Sequence, residues 1–143
     1  MPRPILLALV WHLHQPSYHD AETGADLLPW TRLHATKDYR DMVRALARTP
    51  RVRVTFNLTP VLLDQLDAIG AGRSDPYLDV ARASAASLTA AQASFLLARF
   101  FDVNHERMLN PFPRYRELFE RKEAGGAFTA DDLRDLQTWF HLA

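Results

Sequence analysis

Apolar residues crowd the start of the chain and then stop abruptly. Residues 4–14, PILLALVWHLH, are almost continuously apolar and end at Gln15-Pro16. A short, unbroken apolar run predicts a strand buried on both faces, as in a parallel sheet covered by helices. Pro16 has no N–H for a ladder, so the strand ends there. Residues 17–37 are polar, aperiodic and hold Gly24 and Pro29, which predicts a long loop. Thr36 then reads as an N-cap, with Asp38 in the first turn. Tyr39, Met42, Val43 and Leu46 fall at i, i+3, i+4 and i+7, one helical stripe that Thr49-Pro50 terminates. Val52, Val54 and Phe56 alternate with Arg53, Thr55 and Asn57, which predicts a second strand over 51–57. Thr59-Pro60 opens a further helix through Leu62, Leu63, Leu66 and Ile69, with Gly70 expected at C′. Strand, helix, strand, helix is the α/β signature of parallel strands joined by crossovers.

From Ser74 onward only helical patterns follow. One is expected over 77–87, rich in alanine. Thr89 and Gln92 form a capping box for another through Phe95, Leu96, Phe100 and Val103. Asn110-Pro111-Phe112-Pro113 is a break. Tyr115, Leu118 and Phe119 lie on a short helix ended by Gly125-Gly126, and Thr129 caps a last helix carrying Leu133, Leu136 and Phe140. That pattern is still running at Ala143. Two strands make a poor parallel sheet, because such sheets need several strands covered on both faces. Residues 1–143 are therefore expected to be a truncated N-terminal piece of a longer domain, with two β/α units over 1–70 and a helical segment over 74–143.

Composition narrows the function classes. Of 143 residues, 48% are hydrophobic and 24% charged, with 17 Lys+Arg balancing 17 Asp+Glu. That balance offers no general phosphate-neutralising surface, so nucleic acid is not an expected partner. Cysteine is absent, which removes disulfides, thiolate nucleophiles and cysteine-based zinc sites. The apolar N-terminal run is too short to span a bilayer and lacks a cleavage site, so a cytoplasmic protein with no membrane association is expected.

The candidate chemistry lies in WHLHQP, residues 11–16. In a strand, His12 and His14 share a face while Trp11 and Leu13 take the other. The pair stands at the C-terminal end of the strand, where α/β sheets and barrels place ligands. Three readings stand side by side. The histidines are half-buried groups satisfied by carbonyls, or zinc ligands of a (β/α)-barrel hydrolase, or hydrogen-bonding groups for a polyhydroxyl ligand. The zinc reading needs more ligands, and His19, His34, His105 and His141 show no ligand spacing. A fourth alternative is a non-enzymatic small α/β binding module.

WHLHQP after an apolar strand, then LPWTRLHATKDYRDM, then VRVTFNLTPVLLDQL, resembles the opening of glycoside hydrolase family 57 over residues 5–66. The closing DLQTWFHLA is also similar to a segment of that family. The family includes amylases, α-glucan branching enzymes and 4-α-glucanotransferases. The resemblance implies a (β/α)7 barrel, a retaining mechanism on α-glucans, and neither cofactor nor metal. It implies His12, His14, Gln15, Trp30 and His34 as substrate-binding residues, with Trp30 a stacking surface. Arg32, Lys37 and Asp38 are expected to knit the loop to the barrel, and Asn57 to serve as a turn former. Retaining glycosidases need two carboxylates about 5–5.5 Å apart. In the family these belong to later motifs, so no catalytic residue is expected before Ala143 and the 143 residues alone are expected to be inactive. Oligomeric state has no signature in the sequence.

Overall fold

The computed structural model describes residues 5–143, which form two compact units, one ending at Asp75 and the other spanning Pro76–Ala143. Pro4, expected to open the first strand, lies outside the described residues.

The first unit holds strands β1 (Val10–Leu13) and β2 (Thr55–Leu58) and helices α1 (Trp30–Thr36), α2 (Asp38–Ala47) and α3 (Pro60–Gly70). The strands pair in parallel, Val10 to Thr55, Trp11 to Phe56, His12 to Asn57 and Leu13 to Leu58. Both are shorter than their apolar patterns, because a ladder extends only where both strands are present side by side. Residues 5–9 and 51–54 lie outside it, with Ile5 95% and Leu6 92% exposed. Among the described residues only one sheet face is covered. Leu13 is buried and Trp11 half-buried, the latter edge-on to Phe56 at 5.3 Å, whereas Val10, His12, Thr55 and Asn57 are exposed.

Helix α1 occupies the end of the expected loop. Its sequence, WTRLHAT, mixes Arg, Leu and Ala with two threonines, a tryptophan and a histidine, so propensity alone does not mark a helix. Tertiary contacts hold it instead. The buried Thr31 hydroxyl donates to Gln65 Oε1 at 3.0 Å. The Arg32 guanidinium grips Asp75 bidentately at 2.6 and 3.2 Å. Helix α1 packs on both α2 and α3. Thr36 consequently is no N-cap. It is the last residue of α1, and its hydroxyl donates back to the carbonyls of Arg32 and Leu33.

Helix α3 starts on the expected Thr59-Pro60 and ends two residues beyond the expected point. Gly70 is its last helical residue, and Gly72 takes the positive φ of +100°. Gly72 N–H reaches Ile69 O and Arg73 N–H reaches Ala68 O, a Schellman closure that glycine tolerates and a Cβ resists.

The second unit is helical: α4 (Pro76–Arg82), α5 (Ala90–Arg99), α6 (Pro113–Glu123) and α7 (Ala130–Leu142). The helix expected over 77–87 stops at Arg82 and resumes as a 3₁₀ turn, Ala85–Ser87. The buried Gln137 amide takes the carbonyls of Val80 and Ala83 at 2.7 and 2.9 Å, and Ser84 turns to extended backbone. Side-chain capping from α7 thus outweighs alanine's preference for helix. The capping boxes at Thr89–Gln92 and Thr129–Asp132 both form. Helix α5 ends before Val103, and a single π turn, His105–Leu109, follows. The core stacks Tyr77, Phe100 and Phe140 with rings 4.5 to 5.8 Å apart. Leu96, Leu118 and Leu136 are fully buried around them. Each such residue contributes roughly 1.5–3 kcal/mol of burial free energy.

Candidate functional site

His12 and His14 lie at the C-terminal end of β1 with their rings stacked, 6.1 Å between centroids and 10° between planes. The period of two puts them on one face, opposite Trp11 and Leu13, as the sequence predicts. Both are exposed. Parallel register sets Asn57 beside His12, and the Asn57 amide nitrogen lies 2.9 Å from His12 Nδ1. With the amide nitrogen as donor, Nδ1 is the accepting ring nitrogen and Nε2 the one left to carry the hydrogen. Asn57 therefore sits in the ladder, not in a turn.

Gln15 is placed differently. Its Nε2 donates to the Tyr39 hydroxyl and its Oε1 accepts from the Tyr18 hydroxyl, both at 3.1 Å. Both ends of the amide are engaged, so Gln15 anchors the strand end to α2 and to the following loop. Burial, and then the neighbouring Tyr39, push the Tyr18 phenol up, which keeps it the proton donor in this bond. His34 joins the same group from α1. Its ring stacks on Tyr39 at 6.0 Å, and its Nδ1 pairs with the Asp38 carboxylate. Trp30, at the first position of α1, is half-buried. Thus Gln15, Tyr18, Tyr39 and His34 form one polar group, while His12, His14 and Asn57 form another.

Gln65, 7% exposed on α3, holds the segment that follows β1. Its Nε2 donates to the carbonyls of Pro16 and Val61 at 3.0 and 3.1 Å. Its Oε1 accepts from Tyr18 N–H at 3.3 Å and from Thr31. One side chain ties the segment after β1 to α1 and α3. Sequence reasoning missed Gln65, Tyr18 and Tyr39. The signal for Gln65 was a polar residue one turn after Leu62 on an apolar stripe. Tyr39 was absorbed into the α2 stripe, although its hydroxyl needs a partner wherever the ring is covered.

The carboxylates around these groups are committed elsewhere. Asp26 meets His19 at 3.1 Å and Arg73 at 3.7 Å, Asp38 meets His34, and Asp75 holds Arg32. Asp20 closes a local turn onto Thr23 and Glu22 N–H, and the Thr23 hydrogen bond holds its carboxyl below the usual range. Among the described residues no three of His, Cys, Asp or Glu converge as a metal-ligand set. A concavity of about 240 Å³, lined by Arg48 to Val52, lies in the connection entering β2 and holds neither acid nor histidine. No helix among the described residues is long and apolar enough to cross a membrane.

No curated protein and no solved structure matches the chain. The sequence model of glycosyl hydrolase family 57 matches residues 8–132, which include both strands, both polar groups and most of the helical unit. The chain belongs to glycosyl hydrolase family 57, a carbohydrate-active family of glycosidases and transferases.

Proposed function

We propose that this chain supplies the sugar-gripping first part of a retaining α-glucan hydrolase or transferase built on a (β/α)7 barrel. The observation that carries the reading is the exposed, stacked His12–His14 pair at the C-terminal end of a parallel strand, in a chain of this family. Imidazole nitrogens displayed on one face of a strand suit the hydroxyls of a pyranose ring, and barrel enzymes bind ligand at that end of their strands. In this reading Trp30 and His34 on α1 serve as further sugar contacts, and Gln15 acts through the position it imposes on the strand end. The carboxylate pair of the retaining mechanism comes from strands beyond residue 143. Unpaired ladder edges and exposed Ile5, Leu6, Leu7 and Val10 support such an extension, since they are surface that further strands and helices would cover. The proposed setting is the cytoplasm, with α-glucan or oligosaccharide as the partner and no cofactor.

Calorimetric titration of the chain with maltoheptaose tests this. Binding is expected in the native chain, weakened about tenfold or more by His12→Ala with His14→Ala, together with no release of reducing sugar from starch. Turnover by these 143 residues, or affinity indifferent to both histidines, overturns the reading.

A further inference from the structure

We infer that Asn57 is a positioning residue that locks His12 into the tautomer with the hydrogen on Nε2, making this imidazole a hydrogen-bond donor toward ligand. The inference rests on the proposed glucan site and says which way its first hydrogen bond runs. A neutral imidazole carries one N–H, and whichever nitrogen accepts a bond from the protein leaves the other as the donor. Here the accepting nitrogen is Nδ1, 2.9 Å from the Asn57 amide nitrogen. The pairing is built into the sheet, because the register sets Asn57 directly opposite His12 and both side chains leave the same exposed face. His14 lacks such a neighbour. It follows the last ladder residue, Leu13, and its ring nitrogens make no hydrogen bond among the described residues. The two stacked rings are therefore chemically unlike. His12 presents a fixed donor, and His14 is free to donate or accept. A fixed donor selects for a ligand oxygen with a lone pair directed at it, while the adjustable ring accommodates the neighbouring hydroxyl.

The chain labelled with ¹⁵N in its histidine rings tests this, with His12 assigned by loss of its signals in His12→Gln. In the native chain His12 Nδ1 should show the shift of an unprotonated nitrogen and Nε2 that of an N–H. Asn57→Asp replaces the donating amide with an accepting carboxylate of nearly the same shape and should reverse the two signals. Asn57→Ala should leave a mixture. Unchanged backbone spectra in both variants separate these effects from unfolding, and Asn57→Ser supplies a smaller side chain should either variant fail to fold. Affinity for maltoheptaose should fall roughly three- to tenfold in Asn57→Asp. A native His12 with the hydrogen on Nδ1, or a tautomer identical in native chain and Asn57→Ala, overturns the inference. A locked tautomer in a chain that binds no maltoheptaose leaves Asn57's role standing and defeats the proposed glucan function instead.

Discussion

Asn57 and His12 meet across two parallel strands, amide nitrogen to Nδ1 at 2.9 Å, while His14 stacks on His12 from beyond the end of the ladder. The contrast separates a histidine tied into the sheet from one that is only displayed. His14→Ala is expected to change stability by less than about 0.5 kcal/mol, the ordinary range for an exposed side chain with no hydrogen-bond partner. The same substitution should weaken glucan binding. A fall of several degrees in the unfolding midpoint would make His14 a structural residue and remove it from the site.

The two glycines that close α3 should respond in opposite directions. Gly70 is helical with open space where a Cβ would lie, so Gly70→Ala should stabilise the first unit by roughly 0.5–1 kcal/mol. Gly72 also has room, yet its φ of +100° strains any L side chain, and Gly72→Ala should cost about 1 kcal/mol or more. Denaturant melts of the two variants check the sign. Equal effects would return the C′ position to Gly70.

What could be read in the sequence was whatever depends on local chemistry. The capping box at Thr89, the cap at Thr129, the start of α3 at Pro60 and the alternation placing His12 with His14 all follow from residues a few positions apart. What could not be read depends on partners distant in the chain. Helix α1 exists because Thr31 meets Gln65 and Arg32 meets Asp75, 34 and 43 residues away. Helix α4 stops early because Gln137 reaches back to Val80. The same limit applied to the candidate site. His12 and His14 could be found by spacing, but Gln15's engagement with Tyr39 and Asn57's with His12 required the fold.

Gln65 concentrates four hydrogen bonds in one buried amide, so its removal should act at a distance. Gln65→Leu keeps the volume and strands the carbonyl of Pro16, the N–H of Tyr18 and the hydroxyl of Thr31. Leaving a buried polar group unpaired costs about 1–3 kcal/mol. The expected loss is at the upper end of that range, with faster amide exchange at Tyr18. An undiminished melting midpoint would show that water replaces Gln65 at no cost.

The zinc alternative has a direct check. His12 presents a protonated Nε2 when Asn57 donates to its Nδ1, and a metal ligand needs that nitrogen bare. Metal analysis of the purified protein should find well under one equivalent of zinc, and glucan binding should survive a chelator. Binding lost to chelator and restored by zinc would favour the hydrolase that uses His12 and His14 as ligands.

The helical unit should carry an acid-sensitive fastening at Asp132. This carboxylate is 4% exposed and joins α6 to α7. It accepts from the Thr129 N–H and hydroxyl at 2.9 and 2.8 Å, from Arg114 at 2.6 Å and from Arg121 at 2.7 Å. The Thr129 backbone bond, working against burial and helped by Arg114, lowers its pKa to about 2. The unfolded chain returns it to 3.8, so unfolding takes up a proton between those values. A group with a depressed folded pKa contributes its full stability above the unfolded value. That contribution shrinks as the pH falls through 3.8 and is gone below about 2. Its size is on the order of 1 kcal/mol, discounted because Arg114 and Arg121 are themselves about a third exposed to screening solvent. Asp132→Asn removes the charge while keeping the shape. It should destabilise the unit at pH 6 by more than this titration alone, because two guanidinium groups lose their shared partner. The variant should also lose the part of the acid dependence between pH 4 and 2 that belongs to Asp132. Urea unfolding of both proteins across that range, followed by the near-ultraviolet signal of Tyr115 and Trp139, measures the difference. Parallel pH profiles for the two proteins would mean that Asp132 is not the group whose protonation loosens the helices.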